Sequence, residues 1–292
     1  ATTVRAMTTT SGPGLSLMAE GISFACGCEI PNVYVDVARP GPGMGGIDAA
    51  QDDYFYVVKG PGNGGGRPFV MSPDCVQELV DQVYEAFDIA DKYRSPVIIL
   101  TDAVVGQSME VVDIPPMRDL ADLPDRSAWC LSERRSDEMS DRRMLTSIYQ
   151  PNIRQEQLCL RLAEKHRIWE RDEVRYESYL MEDAEIVFFA YGAVARVGKA
   201  CADVLRNEGI RVGVFRPVTL YPFPIKQIRA LPFGRQIKKA LCVGMPAEGK
   251  MIEDIQRAAA GQIEISYLGR GGGFLVRPTM ILDAVHDLLK GE

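Results

Sequence analysis

Histidine is scarce in this sequence. Only His166 and His286 occur in 292 residues, which argues against a Ser-His-Asp triad or a multi-histidine metal centre. The seven cysteines (26, 28, 75, 130, 159, 201, 242) form no CxxC pair. The lone Cys26-Gly-Cys28 is a poor zinc or Fe–S framework. The cysteines read instead as small core residues in a reducing compartment. A basic excess is also missing: 33 Lys and Arg against 40 Asp and Glu give a net charge of −7, so no nucleic-acid footprint is expected. Neither a signal-peptide pattern nor an apolar run of ~18 residues or more is found, so a cytoplasmic chain off the membrane is expected. The Ser11-Gly-Pro-Gly14 turn is neither a GxGxxG nor a Walker lysine loop, so it gives no motif for nicotinamide or ATP binding.

What is present is a hydrophobic content of 46% with 25% charged residues, ordinary for a globular protein and, at this length, consistent with about two domains. An apolar run (Val4, Ala6, Met7) precedes Thr8-Thr9-Thr10-Ser11-Gly12-Pro13-Gly14, and an apolar helical pattern follows it. This reads as strand, tight loop, helix. Residues 32–38 are β-branched and short, a parallel strand. The Gly/Pro-rich stretch 39–46 then forms a loop at the same sheet end, and a third glycine cluster spans 59–66. Ser72-Pro73 reads as a helix start, with an amphipathic helix to about Tyr93 and a buried strand over 96–102. From about Val111 to Met181 the chain turns polar, with Glu133-Arg134-Arg135-Ser136-Asp137 as a solvated charged face and one helix around Leu158 to Trp169. Strands and helices alternate again from Asp183, and Arg216-Pro217 to Pro224 reads as a rigid loop. The expected fold class is α/β with two parallel-sheet domains, at 1–112 and 183–292, joined by a connector at 113–182.

Open α/β sheets bind ligands at the carboxyl ends of their strands. Thr10, Ser11, Gly12, Pro13 and Gly14 sit at such an end, where glycine lets a ligand come close. Their spacing fits a ligand-free tight turn equally well. Arg39 follows a buried strand beside glycines. It could clamp a carboxylate with two parallel hydrogen bonds, or pair with Asp36 or Asp48. Lys59 and Arg67 flank the third glycine loop, as anion contacts or solvated charges. Asp102 at a strand end reads as a helix or loop cap.

Residues 6–14, followed by a helix and Ile30-Pro31-Asn32-Val33, resemble the pyrimidine-binding module of thiamine-dependent enzymes. More narrowly the chain resembles the α subunit of 2-oxoacid:ferredoxin oxidoreductases, nearest the branched-chain (ketoisovalerate) branch. The stretches that carry this are Gly41-Pro-Gly-Met-Gly-Gly-Ile, Ala50-Gln-Asp-Asp-Tyr-Phe, Ala90-Asp-Lys-Tyr-Arg-Ser-Pro-Val, Gly106-Gln-Ser-Met-Glu, Tyr191-Gly, Arg216-Pro-Val-Thr-Leu-Tyr-Pro-Phe-Pro and Met251-Ile-Glu-Asp. The resemblance implies that a 2-oxoacid, CoA and oxidised ferredoxin give acyl-CoA, CO₂ and reduced ferredoxin. The substrate would be 3-methyl-2-oxobutanoate or a similar acid, with 2-oxoglutarate as the alternative. Thr10 to Gly14 would line the pyrimidine side of a thiamine diphosphate shared with a partner. Arg39 and Asn63 would bind substrate, and 183–292 would be a transketolase C-terminal-like domain. A β subunit would carry the diphosphate and Mg²⁺, and γ/δ-type subunits the 4Fe–4S clusters that pass electrons to ferredoxin. The sequence has no Gly-Asp-Gly followed by Asn, the diphosphate/Mg²⁺ pattern, so no metal ligand is assigned to this chain.

Two departures from the family pattern stand out. The family's Tyr-Pro-Ile-Thr-Pro-like loop and the glutamate that activates the pyrimidine lie upstream of residue 1, so the module is expected to be incomplete, with no catalytic acid in this chain. Asn63 stands where the family has histidine, and asparagine carries no proton near neutral pH. Both departures leave room for a non-catalytic assembly subunit.

Overall fold

The computed structural model describes residues 4–131 and 144–290; the charged stretch 133–137 lies outside them. The first sheet has the strand order β1 (Met7–Thr10), β2 (Asn32–Ala38), β4 (Pro96–Asp102), β3 (Phe69–Met71) and β8 (Thr219–Tyr221). The second runs β10 (Ile265–Gly269), β9 (Lys239–Gly244), β6 (Ile186–Phe189), β7 (Val212–Pro217) and β5 (Tyr176–Tyr179). Four strands of each sheet are parallel, as an alternation of buried apolar strands and amphipathic helices requires. The fifth strand of each is antiparallel, β8 on β3 and β5 on β7, so the sheets are mixed at one edge rather than wholly parallel.

The two edge strands reach across the sequence. The expected loop after Arg216 is in fact the end of β7 and, one residue on, β8 of the first sheet. Its backbone continues the pairing, with the Ser72 amide donating to the Val218 carbonyl at 2.9 Å. β5 lies within 113–182 yet closes the second sheet. The main core is accordingly shared by both sheets: Phe69, Ile98, Trp169, Phe189, Phe215 and Ile255 are all in it and fully or almost fully buried. Trp169 enters it from α6 (Asn152–Asp172), edge-on to Phe69 at 5.5 Å. No helix among the described residues is long and apolar enough to cross a membrane.

A buried ionic network ties α4 (Val76–Tyr93) to the second sheet. Arg216 on β7 donates to both Glu78 oxygens at 2.8 and 2.7 Å and to Glu177 on β5 at 2.8 Å. Lys199 of α7 (Gly192–Asn207) donates to Asp74 and Glu177 at 2.8 and 2.7 Å. This network explains why α4 starts at Val76, later than Ser72-Pro73 suggested. Glu78, fixed by Arg216, accepts from the Asp74 amide at 2.8 Å, and Cys75 Sγ accepts from the Glu78 amide at 3.4 Å. The cap therefore forms at Cys75, and Ser72 ends the strand-side segment. Asp74, Cys75 and Glu78 lie within ligating distance of one another, but the two carboxylates already face Arg216 and Lys199.

The carboxyl ends of the two sheets meet at Gly192, whose φ of +59° suits glycine. A Cβ there would lie 3.2 Å from Gln51 Nε2 and 3.4 Å from Asp102 Oδ2. Gln51 donates to the Tyr191 carbonyl at 2.9 Å and accepts from the Met245 amide at 3.2 Å, which fixes the loop 39–53 between the sheets.

Candidate functional site

The register of the first sheet sets the site. Thr10 lies opposite Asp36, and Ala38 opposite Asp102, so the turns that follow β1, β2 and β4 emerge side by side. Thr8 to Thr10 are strand, not loop, because their β-branched side chains pair in parallel with Tyr34 to Asp36. The turn contracts to Ser11-Gly12, and α1 (Pro13–Leu17) starts on a proline at its first position. The Ser16 amide donates to the Gly12 carbonyl at 3.1 Å and the Gly14 amide to the Ser11 carbonyl at 3.0 Å.

Gly12 has φ 43° and ψ −108°, and a Cβ on it would sit 3.1 Å from Arg39 Nε and 3.2 Å from Arg39 Cγ. The arginine side chain thus lies directly against the glycine of the neighbouring turn. Its Nε is buried with no hydrogen-bond partner. Among the described residues Arg39 has no ion pair, with neither Asp36 nor Asp48. Arginine rarely buries a donor without an acceptor, and its guanidinium fork matches a carboxylate.

Beneath this contact lie two carboxylates that the sequence did not single out as a pair. Asp36 is fully buried, and neither of its oxygens finds a hydrogen-bond partner; Asp53 Oδ2 is unpartnered as well. Asp53 precedes α3 (Tyr54–Lys59) at the N-cap position yet makes no cap hydrogen bond. Burial first, then the negative charge of Asp53, pushes the Asp36 carboxyl up to about 8. Asp53 is also raised, by burial and then by Asp52, against the lowering influence of Lys250 and of the Arg39 and Gly12 amides. An acid in the centre of an otherwise apolar strand was the available sequence signal.

The other named residues are placed differently. Asn63 is exposed and anchored to α2 (Ala19–Cys28), where Ser23 Oγ donates to its Oδ1 at 2.8 Å and to its carbonyl at 3.0 Å; no hydrogen bond joins it to Arg39. Lys59 is bound to Asp254 at 2.7 and 2.8 Å, and the Tyr54 hydroxyl donates to the same carboxylate at 2.9 Å. Arg67 stacks over the Tyr221 ring at 4.9 Å. Asp102 caps α5 (Ala103–Gln107), accepting from the Val104 and Val105 amides at 2.8 and 3.2 Å. Five cysteines are buried, and burial pushes Cys26 up to about 12 and Cys201 to about 11, so neither is a thiolate near neutral pH.

Two clefts flank the Arg39 loop. One of about 440 Å³ is lined by Gly41, Pro42, Asp52 and Asp53 on one side and by Pro246, Lys250 and Gly271 on the other. The second, of about 590 Å³, lies between Asp48, Ala103 and Val104 and Gly273 and Leu275. Both are walled by segments that follow strands of the two sheets, as expected where strand ends converge.

Comparison with known proteins agrees with this architecture. The family described as pyruvate flavodoxin/ferredoxin oxidoreductase, thiamine diphosphate-binding, matches residues 1–168, and the pyruvate:ferredoxin oxidoreductase core domain II matches 184–281. The ketoisovalerate oxidoreductase subunit VorB of Methanothermobacter marburgensis is 44% identical over 287 residues, covering 97% of this chain and 78% of that protein. The 2-oxoglutarate synthase subunit KorA of the same organism is 31% identical, covering 97% and 80%. Among solved structures, the 2-oxoglutarate:ferredoxin oxidoreductase of Magnetococcus marinus aligns with a TM-score of 0.75 at 22% identity, over 96% of this chain and 52% of that one, so this chain spans about half its length. A split-gene transketolase aligns with a TM-score of 0.54 at 13% identity. These two likenesses speak to the fold, whereas the sequence matches establish kinship: the chain belongs to the pyruvate flavodoxin/ferredoxin oxidoreductase family, as a subunit of the 2-oxoacid:ferredoxin oxidoreductase type.

Proposed function

We propose that this chain forms the pyrimidine-side and substrate-carboxylate wall of a thiamine diphosphate site that a second chain completes, in an enzyme that oxidatively decarboxylates a branched-chain 2-oxoacid. The observation that carries the reading is Arg39, a guanidinium with no acidic partner among the described residues, held against Gly12 where two parallel strands end. A 2-oxoacid offers the planar carboxylate such a fork takes, and one charge-assisted hydrogen bond is worth about 1.5–3 kcal/mol. Thr10, Ser11, Gly12, Pro13 and Gly14 line the pyrimidine. The fit is sound on this side: Gly12 has no Cβ, and the turn is built from small residues, so a flat heteroaromatic ring meets little side-chain bulk. When bound, the cofactor supplies the carbon nucleophile and electron sink that let a 2-oxoacid lose CO₂. This chain's own residues bind and orient the acid and wall off water. Asn63, hydrogen-bonded to Ser23 in the structure, is proposed as a second substrate contact on the resemblance alone.

The greater identity to the ketoisovalerate subunit than to the 2-oxoglutarate subunit supports a branched aliphatic side chain on the substrate. The Magnetococcus marinus enzyme, with 2-oxoglutarate, coenzyme A and succinyl-CoA bound, supports CoA as acyl acceptor and 2-oxoglutarate as the second substrate candidate. The partners proposed are a β subunit holding diphosphate and Mg²⁺, subunits with 4Fe–4S clusters, and ferredoxin. We assign 1–112 to the thiamine module, 113–182 to the connector and 183–292 to the assembly domain. The test is CoA-dependent viologen reduction by the purified native complex across a panel of 2-oxoacids. Preference for 3-methyl-2-oxobutanoate is expected; preference for 2-oxoglutarate moves the substrate assignment to the second candidate, and inactivity with every acid favours an assembly subunit.

A further inference from the structure

We propose that Gln51 is a positioning residue for the substrate arginine: seated in the crevice of the second sheet, it makes that domain hold the Arg39 loop in place against Gly12. This deepens the reading of Arg39 as the substrate clamp and rests on it.

The second sheet has the strand order β10, β9, β6, β7, β5. From β6 the chain moves to β7 on one side, and it later returns to β9 on the other. The loops that leave β6 and β9 therefore part at their carboxyl ends, the place where an open α/β sheet takes its ligand. Here a side chain of the first domain occupies that place. Gln51 is buried. Its Nε2 donates to the Tyr191 carbonyl after β6 at 2.9 Å, and its Oε1 accepts from the Met245 amide after β9 at 3.2 Å. One carboxamide, with donor and acceptor side by side, thus satisfies a backbone group on each side of the opening. The void left between Gln51, Tyr191, Gly244 and Tyr267 is about 10 Å³, too small for a ligand. The crevice is filled, and what it holds is the loop.

That loop starts at Arg39. Its roots, Pro40 and Ala49 to Gln51, are buried, whereas 41–45 are exposed. The roots are tied to each other. The Gly41 amide donates to Asp52 Oδ2 at 3.2 Å, and the Gly46 amide to the Pro40 carbonyl at 3.1 Å. A Cβ on Gly45 would lie 1.7 Å from the Pro40 carbonyl oxygen, so only glycine lets the chain fold back this closely. The second domain grips the same roots twice more. Lys250 donates to the Asp52 carbonyl at 2.5 Å. A Cβ on Gly273 would lie 2.7 Å from Asp48 Cβ and 3.2 Å from Pro40 Cγ. The path from Gln51 through Asp52 and Gly41 to Arg39 is therefore short and hydrogen-bonded. Gly12 belongs to the turn after β1 and stays with the first sheet. Releasing Gln51 moves Arg39 relative to Gly12 and takes the guanidinium off the substrate carboxylate.

The experiment is steady-state kinetics of the native complex carrying Gln51→Leu, which occupies the crevice but makes neither hydrogen bond. The KM for the 2-oxoacid should rise by about tenfold, the loss of one charge-assisted contact, with kcat and the KM for CoA retained. The double variant Gln51→Leu/Arg39→Ala should be no worse than Arg39→Ala, because both act through one guanidinium. A role in folding alone would lower the melting temperature or yield of the complex and leave the 2-oxoacid KM at its wild-type value. An assembled Gln51→Leu complex with wild-type KM, or losses that add strictly to those of Arg39→Ala, overturns the proposal. If Gln51→Leu does not assemble, Lys250→Met decides it, because Lys250 ties the same roots from the rim of the neighbouring cleft. A rise of about threefold or more in the 2-oxoacid KM, the worth of one hydrogen bond, supports the proposal, and an unchanged KM overturns it. Arg39→Ala measured alongside separates the two failures. No effect of that change overturns the clamp reading itself, whereas an Arg39-sensitive complex in which Gln51→Leu keeps the wild-type KM overturns only the role of Gln51.

Discussion

Replacing Gly12 with alanine probes the contact on which the site depends. The backbone there, at φ 43° and ψ −108°, is unfavourable for any residue with a Cβ, at a cost of roughly 1–2 kcal/mol. The new methyl would lie 3.1 Å from Arg39 Nε and 3.2 Å from its Cγ, too close for carbon, so the arginine must shift. Stability and function should therefore separate. The strain lowers the melting temperature by a few degrees. In the proposed substrate role of Arg39, a shifted guanidinium forfeits one charge-assisted hydrogen bond, about 1.5–3 kcal/mol, or roughly ten- to a hundredfold in kcat/KM. Dye-coupled oxidation of the 2-oxoacid by the intact complex reads this directly. The double variant Gly12→Ala/Arg39→Ala should be no worse than Arg39→Ala, because both act through one group. An assembled Gly12→Ala complex with wild-type kcat/KM would refute the reasoning, as would strictly additive losses.

Arg216→Met removes the cation paired with Glu78 and one of the two that hold Glu177, which keeps Lys199, in a partly buried site. Breaking such a network from one side should destabilise by about 3–5 kcal/mol, seen as a lower melting temperature with the KM for 2-oxoacid retained. His166 is held down at about 4 by burial, then by Arg67 and Lys165, so the unfolded chain binds its proton first. Stability from this neutral histidine is present above pH 6.5 and drains away as pH falls toward 4. His166→Phe, which keeps the ring against Trp169 and Tyr221, should therefore narrow the gap in melting temperature between pH 7 and pH 5.

The alternation of strands and helices was legible because the strands of parallel sheets are buried on both faces: Pro96–Asp102 is apolar almost throughout and fully buried. Asp102 as a cap could likewise be read from a strand end followed by an apolar helix start. β8 could not, because Thr219-Leu-Tyr is three residues flanked by prolines, and it becomes a strand only where the first sheet offers an edge. The start of α4 was misplaced because its cap depends on Glu78, and Glu78 on Arg216, 138 residues away. At the site, Arg39 and the glycine turn were visible as candidates. Their mutual contact, and Asp53 beneath them, depend on how the loop 39–53 folds back between the sheets, which local pattern does not encode. Asn63 is a candidate by likeness alone, and its link to Ser23 arises from the packing of the glycine loop on α2.

The central claim, that this chain supplies the substrate-binding wall of a shared site, is tested most directly by Arg39→Ala in the native complex with its cofactor bound. At least a tenfold fall in kcat/KM for the 2-oxoacid is predicted, with complex assembly and melting temperature preserved. An assembled variant with unchanged kinetics would contradict the account.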